Sequence, residues 1–379
     1  MNSQGEDKII TRHKNLVVRL SRKADENILS LLSSTVLGTR GGLRHQLTGV
    51  ESRIRAYKEN IRFVSLYIRG RLAGTVAMCY RKTRTAKKYY HSTYIRYLSF
   101  MPLFRTALTG RGKTAAGAEA HREGTWKDRV LAFFRKPHML DFPGCDENDK
   151  HIVYAYVEAM NERSKNLIHQ MGFEHIRSFI TVPFSRFSPR SSDEVTRLAA
   201  EDREEMKKLL LGFYEDHSFF SPEFSFYGDK YYVIKKGGDI IAGLSVIPAA
   251  LRIVEIPGFK GWVFKKVLPW LPPFNRIIRP GELRFLSLES IYFKEGKVKE
   301  LEKLIESACA IEGYNTALSW LDEKSPVCEL IRSELDMGTL NRMISTAPGL
   351  VYAGFVNFDE AEKEYFYRHP AFISGFDFT

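Results

Sequence analysis

Three side chains that can transfer protons lie close together near the middle of the chain: Tyr156, Glu158 and His169. A phenol, a carboxylate and an imidazole can each act as a general acid or base when a reacting group is within hydrogen-bond reach. Each also has a simple structural explanation, as a packed aromatic residue, a solvated charge at a strand end and a surface helix residue. They are therefore candidates by position only.

The sequence predicts two strands and a helix around these residues. The β-branched and aromatic run Val153 to Val157 predicts a strand. Asn161 is a good N-cap for a helix with apolar residues at positions 167, 168 and 171. Gly172 stands where a left-handed residue commonly ends a helix. A second strand is predicted over residues 176–182, ending before Pro183.

The spacing within this unit is more specific than its periodicity. Its key residues are Asn161, Ser164, Leu167, Gly172 and Phe173, the last two following Asn161 by eleven and twelve positions. This pattern resembles the last core motif of the GNAT acyltransferase superfamily. The resemblance implies a strand that splays from its neighbour, acyl-CoA pantetheine in the gap, and coenzyme contacts at Asn161 and Ser164. An ordinary α/β crossover is the alternative.

One position departs from the family pattern. Ile168 stands where the family often has a tyrosine that protonates the leaving thiolate. No general acid is therefore assigned from the motif. General bases vary in position within this family, so Glu158, Tyr156 and His169 remain the candidates for proton transfer.

A second strand completes the expected coenzyme site. The resemblance places the central strand of the fold at residues 94–104. It implies that the backbone of this strand pairs with pantetheine and polarises the thioester carbonyl near Phe100. The residues expected to make these contacts are Leu98, Ser99, Phe100 and Met101.

Two stretches compete for the loop that would hold the pyrophosphate on stacked backbone N–H groups. Residues 107–114 offer glycines and positive charge, and also fit a relaxed nucleotide P-loop without a convincing strand before it or partner aspartate after it. Residues 121–127 come directly before an apolar helix and are favoured, with Arg122 and Gly124 as coenzyme-binding residues. Trp126 stands where this loop expects a small residue.

The N-terminal segment predicts a strand at residues 16–20, a helix at 27–36 and a second helical stretch ending near Lys58. These two helices form either a wall of the acceptor site, as the resemblance implies, or a pair that simply covers the sheet. Residues 63–68 and 72–80 predict a hairpin. The following run from Arg81 to Lys88 has five basic residues in eight, typical of a solvated loop, although it could hold an anion.

The second half repeats the order of elements in the first. Its hairpin contains Ala242-Gly243, which echoes Ala73-Gly74, but only four residues (294–297) separate the central strand from the next helix. The phosphate loop is thus missing. The Ser, Pro and Arg-rich stretch at 183–192 predicts a boundary between an acyl-CoA-binding domain at 1–186 and a degenerate copy at 193–379.

An aromatic insertion, Trp262 to Phe274, is distinctive in the second half. Aromatic and aliphatic residues next to Lys265 and Lys266 suit a peripheral membrane contact or an acyl-chain groove. A hydrophobic lid packed on its own domain or on a dimer partner is the alternative. The aromatic stretch at residues 365–378 is expected to pack across a domain face.

Composition sets the general class of the protein. With 379 residues, 44% hydrophobic content and a mean hydropathy of −0.27, the chain is expected to be globular and cytoplasmic, without a transmembrane segment or signal peptide. Its four cysteines form no C-x-x-C pair, so free thiols and no metal site are expected.

Charge is divided unevenly along the chain. Residues 1–190 contain 34 Lys and Arg against 16 Asp and Glu, a net charge of +18, whereas residues 191–379 contain 23 against 29, a net charge of −6. The basic half should attract an anionic ligand such as a phosphorylated coenzyme. Nucleic acid is not the expected partner, because the motifs indicate acyl-CoA.

The resemblance implies an α/β (α+β) fold class with two tandem GNAT-like domains, each a mixed, mainly antiparallel twisted sheet flanked by helices. The implied activity is acyl transfer from acetyl-CoA or another acyl-CoA to a primary amine of a small molecule or peptide. One alternative is a long-chain or cell-envelope acyltransferase at the membrane surface. Another is a binding module that has lost catalysis, with an anionic polymer on its basic half.

Overall fold

The computed structural model describes residues 7–39, 41–101, 126–343 and 348–379. Within these ranges, fourteen strands form one mixed and mainly antiparallel sheet. The strands are β1 Lys8–His13, β2 Leu16–Ser21, β3 Arg44–Leu47, β4 Ile61–Ile68, β5 Arg71–Thr85, β6 Lys88–Phe100, β7 His151–Glu158, β8 Glu174–Ser185, β9 Val195–Arg197, β10 Tyr231–Lys236, β11 Asp239–Glu255, β12 Glu282–Phe293, β13 Thr316–Asp322 and β14 Gly349–Val356.

Helices flank this sheet on both faces. Those in the described ranges are α1 Glu26–Ser34, α2 Val50–Ala56, α3 Trp126–Arg135, α4 Glu162–Gln170, α5 Arg203–Phe213, α6 Gly258–Lys266, α7 Val298–Glu312, α8 Pro326–Glu334, α9 Thr339–Met343 and α10 Glu360–Arg368. Glu51 and Arg55 form an exposed ion pair on α2. All four cysteines are free, as expected.

The order of the strands reveals an exchange between the two halves of the chain. The path through the sheet is β1-β2-β4-β5-β6-β7-β14-β8-β13-β12-β11-β10-β9, with β3 pairing with β11. Strand β14, from near the end of the chain, lies between β7 and β8 and pairs antiparallel with both. Strand β8, from the first half, pairs with β13 of the second. Each half is thus completed by a strand from the other.

The basic run at residues 81–88 was wrongly predicted to be a loop. Its first five residues continue β5, and Ala86 and Lys87 form a tight turn into β6. Both turn residues have positive φ, 49° and 64°, as expected of the hairpin turns that match strand twist. Arg81 is buried in β5. Over residues 81–85 every second side chain is buried, so the charged positions belong to the sheet.

One other boundary differs from the prediction, and some strands were not predicted. Strand β8 runs through Pro183 to Ser185, and Pro183 lies opposite Leu318 of β13. Strands β1 and β3, which are short and contain several polar residues, were missed, as was β14. The other predicted elements are present, with ends that differ by a few residues.

The alternating side chains of β7 face two separate cores. Ile152 and Tyr154 pack with α1 and α2 on one face. Val153, Ala155 and Val157 pack with α3 and α4 on the other. Because successive side chains of a strand point to opposite faces, Tyr156 and Glu158 lie on the α1–α2 face.

Candidate functional site

The parallel strands β6 and β7 pair over only part of their length. Their register runs from His91 opposite His151 to Tyr94 opposite Tyr154, after which the ladder ends. Strand β6 continues to Phe100 and β7 continues to Glu158. The two strands therefore leave an opening between them, as predicted for the pantetheine site.

A β-bulge in β6 lies at this opening. Arg96 faces Ala77 of β5 and Ser99 faces Thr75, so that two residues of β6 stand against one of β5. Tyr97, inside the bulge, has a φ of 55°, a left-handed conformation that is uncommon for a tyrosine. Bulges bend a strand and redirect its side chains. Here the bulge follows the end of the β6–β7 ladder.

The helix after β7 begins and ends as predicted. The Asn161 side-chain oxygen accepts a hydrogen bond from the backbone N–H of Ser164, at 3.1 Å. Gly172 has a φ of 81°. Phe173 packs so closely against β14 that a Cβ on Gly354 would lie 2.7 Å from its ring. The Gly-Phe pair thus ends the helix and fixes it to the sheet.

The four residues predicted to contact pantetheine have different surroundings. Leu98 and Met101 are 37% and 36% exposed, respectively. Ser99 is buried, and Phe100 packs over Gly74, where a Cβ would lie 2.3 Å from its ring. The other two predicted coenzyme residues, Arg122 and Gly124, and the competing loop at residues 107–114 lie outside the described residues.

The proton-transfer candidates are separated by the sheet. Tyr156 and Glu158 lie on the α1–α2 face, where Thr39 donates a 2.8 Å hydrogen bond from its hydroxyl to the Glu158 carboxylate. His169 is exposed on α4 and packs edge-to-face on Tyr352, which belongs to the opposite core. Two of the three candidates therefore lie on the same face of the sheet.

Tyr156 lies within a group of aromatic rings. It stacks on Phe378 with ring centroids 5.4 Å apart, and it packs edge-to-face against Phe179. Burial raises the pKa of Tyr156 well above its ordinary value. Its phenol is therefore neutral near neutral pH and is a weaker acid than that of an exposed tyrosine.

Two residues at the bulge, Arg96 before it and Tyr97 inside it, were missed by the sequence analysis. Arg96 donates from its guanidinium to the main-chain oxygens of Phe376 and Thr379, and it lies 4.4 Å over the Tyr97 ring. The buried Tyr97 hydroxyl has no hydrogen-bond partner among the described residues. Burial raises the pKa of Tyr97 to about 12. No sequence pattern indicated the bulge that places these two side chains.

Residues 374–379 are held between the two halves of the sheet. Asp377 accepts hydrogen bonds from Arg81 at 2.6 Å and from the Tyr57 hydroxyl at 3.1 Å, and all three side chains are buried. Glu289 of β12 accepts a hydrogen bond from the Ser374 hydroxyl at 2.7 Å and one from the Phe376 N–H at 3.0 Å. Burial raises the pKa of Glu289 to about 7, despite these hydrogen bonds.

No family model matches the chain, and no curated protein matches it in sequence. Solved structures do match it. Saccharomyces cerevisiae N-myristoyltransferase with bound myristoyl-CoA aligns at a TM-score of 0.54 and 12% identity, covering 92% of this chain and 85% of that one. A structure of the same enzyme with myristoyl-CoA and inhibitors aligns at a TM-score of 0.55 and 10% identity, covering 92% of this chain and 82% of that one.

This similarity runs through both halves of the sheet. The chain has a tandem GNAT-like fold. At this level of identity, the likeness to N-myristoyltransferase concerns architecture alone. In the described part of this GNAT-like chain, none of the helices combines the length and apolar character that crossing a membrane requires.

Proposed function

We propose that this chain is an enzyme that transfers an acyl group from acyl-CoA to a primary amine of a small molecule or peptide. The observation that carries the proposal is the opening between β6 and β7 beyond Tyr94 and Tyr154, next to a helix capped by Asn161. The fold is shared with an enzyme solved with myristoyl-CoA bound, which supports an acyl-CoA donor.

The proposed coenzyme site uses both sides of the opening. The backbone of β6 from Leu98 to Met101 would pair with pantetheine, and its N–H groups would polarise the thioester carbonyl. Asn161 and Ser164 would lie beside the coenzyme at the start of α4. Arg122 and Gly124 would hold the pyrophosphate. In this scheme residues 1–186 bind the donor, while residues 193–379 shape the acceptor site.

The reaction requires two proton transfers. The amine loses a proton as its nitrogen attacks the thioester carbon, and the thiolate gains one as the carbon–sulfur bond breaks. Glu158, a carboxylate positioned by Thr39, is the proposed base, acting directly or through one water. Ile168 is buried and apolar and cannot protonate the thiolate. The neutral phenols of Tyr97 and Tyr156 are the proposed hydrogen-bond donors to the departing thiolate, because burial makes both of them weak acids.

The acyl group is either an acetyl group or a longer chain. The motif alone implies acetyl-CoA, whereas the neighbour with myristoyl-CoA favours a longer chain. An exposed aromatic surface supports the second candidate, a long-chain acyltransferase at a membrane surface. In and beyond α6, Phe259 and Trp270 are 77% and 71% exposed, and Trp262 stacks on Phe259. Lys266 lies at the end of the same helix, and its positive charge favours contact with anionic lipid.

Calorimetric titration of the full chain with acetyl-CoA and with palmitoyl-CoA below its micelle concentration tests both proposals. Saturable binding that Asn161→Ala weakens would support the donor site, and the preferred donor would decide between the chain lengths. Asn341→Ala, which changes an exposed asparagine in α9, is the matched control and should bind normally. If neither donor binds, a non-catalytic binding module becomes the better explanation.

A further inference from the structure

A cluster of metal-binding side chains lies at the closed end of the β6–β7 pair, away from the opening. His91 of β6 and His151 of β7 face each other as register partners at the first rung of the ladder. Cys145 and Asp149 come from the turn-rich segment that leads into β7. The proposed acyl transfer uses none of these four residues.

The distances within the cluster are those of atoms that could share one ion. One ligand atom each from His91, Cys145 and Asp149 lies within 4.8 Å of the other two. His151 lies outside this group of three and adjoins it through Cys145. His91 Nε2 is 3.6 Å from an Asp149 carboxylate oxygen, and His151 Nδ1 is 3.3 Å from the Cys145 sulfur. In a tetrahedral zinc site with bonds of about 2.0–2.3 Å, ligand atoms lie roughly 3.3–3.8 Å apart.

The outer hydrogen bonds of the two imidazoles orient them toward the cluster. The Tyr80 hydroxyl is 2.8 Å from His91 Nδ1, and the Thr93 hydroxyl is 2.8 Å from His151 Nε2. Each ring thus has one nitrogen engaged by a hydroxyl and the other directed at the thiol or the carboxylate. Metal-binding histidines are commonly fixed in this way by a partner on the second nitrogen.

The Asp149 carboxylate is also positioned from outside the cluster. One of its oxygens accepts a 2.7 Å hydrogen bond from the backbone N–H of Asp146. The turn that contains Cys145 is therefore folded so that both of its ligand side chains face the two strands. A single sulfur, two imidazole nitrogens and a carboxylate oxygen form a donor set suited to Zn²⁺.

We propose that His91, Cys145, Asp149 and His151 bind one structural Zn²⁺ ion. Binding replaces the Cys145 S–H bond with a zinc–sulfur bond, the proton leaves to solvent, and no electrons are transferred. The ion would connect the segment before β7 to both strands at the end where they pair. It would thereby fix the point from which β6 and β7 diverge.

Metal analysis of the full chain, produced without a histidine tag in zinc-supplemented medium, tests this site. One zinc per chain is expected by mass spectrometry of the dissolved metal. Cys145→Ala and His91→Ala should each reduce zinc to background, whereas Cys328→Ala, at a buried thiol in α8, should retain it. Asp149→Asn provides a milder variant should the first two fail to fold, and it should weaken zinc binding at least tenfold.

A second measurement separates a structural ion from surface binding. A chelator should lower the melting temperature of the unmodified chain and leave that of Cys145→Ala unchanged. Absence of zinc from the unmodified chain, its retention in the cluster variants, or a different metal in its place would overturn the proposal. None of these measurements depends on acyl transfer, so failure here is distinct from failure of the proposed enzyme activity.

Discussion

The opening beside β6 has a counterpart beside β12. Strands β12 and β13 are also parallel, and they pair only at Leu286 with Ala317 and Ser287 with Leu318. A bulge follows in β12 as it does in β6, and its residue Ser290 has a φ of 50°. The two halves therefore use the same backbone arrangement, a short parallel ladder followed by a bulge.

The contents of the two openings differ. In the second half, the Ser287 hydroxyl donates a 2.7 Å hydrogen bond to the Gly375 carbonyl, and Glu289 binds the segment on either side. Residues 374–379 thus occupy the opening beside β12. In the first half, the Leu98 and Met101 side chains beyond the ladder remain partly exposed. The same segment also contacts Tyr156 and Arg96 at the edge of the first opening, through Phe378 and Thr379. We infer that the rest of the first opening accommodates a ligand.

The charges before the two bulges are opposite and face the same segment. Arg96 precedes the bulge in β6 and donates to main-chain oxygens of residues 376 and 379. Glu289 precedes the bulge in β12 and accepts from the main-chain N–H of Phe376. Residues 374–379 therefore connect the two halves, in addition to the exchanged strands. The predictions below test the two openings separately.

Glu158→Gln should have the largest effect, on catalysis at the β6–β7 opening. The amide cannot accept the amine proton but can still accept the Thr39 hydrogen bond, so kcat should fall about 10²–10⁴-fold with little change in stability. Steady-state rates with the preferred acyl-CoA provide the measurement. Glu360→Gln, at an exposed residue paired with Lys363, should retain full activity. An unaffected rate for Glu158→Gln would remove this residue from the mechanism.

Asp377→Ala should strongly destabilise the packing of residues 374–379 against the first half of the chain. It leaves the buried Arg81 guanidinium without its carboxylate, which costs about 3–5 kcal/mol of unfolding free energy. Urea unfolding provides the measurement. The exposed Glu51–Arg55 pair is the control, because Glu51→Ala should cost no more than about 0.5 kcal/mol. Similar losses for both variants would show that the buried pair has no special role.

Glu289→Gln should change how stability depends on pH. The pKa of Glu289 is about 7 in the folded chain, against an ordinary 4.5. Between these values the folded state keeps a proton that the unfolded state has lost, so raising the pH favours unfolding. Relative to Glu289→Gln, the unmodified chain should lose up to about 3 kcal/mol of stability over this range. Comparison of the two proteins cancels contributions from other groups. If their unfolding free energies depend on pH in the same way, the raised pKa of Glu289 is contradicted.

Gly375→Ala should have the smallest of these effects. Its Cβ would lie 2.3 Å from the Leu288 carbonyl oxygen, so the segment must shift at a cost of about 1–3 kcal/mol. The α5 residue Gly212 has open space around it. Gly212→Ala should instead stabilise the chain by roughly 0.5–1 kcal/mol, since alanine favours helix. A neutral Gly375→Ala would mean that the segment packs loosely against β12.

The coenzyme motif and the metal cluster illustrate what could be predicted. The cap at Asn161 and the left-handed Gly172 were predicted correctly, because both depend on residues within one helix. The absence of paired cysteines led us to expect no metal. The cluster contains only Cys145, and its ligand His91 lies on another strand, so cysteine spacing could not have indicated it.

The sequence by itself determined the local elements and the overall class of this protein. Alternating apolar residues, caps and glycines act between near neighbours, so they specify strands, helices and the tandem order without knowledge of the rest. Only the tertiary structure decided that β14 lies between β7 and β8, and that Arg81 meets Asp377 across 296 positions of sequence. These contacts depend on which distant surfaces fit each other, and no local pattern encodes that complementarity.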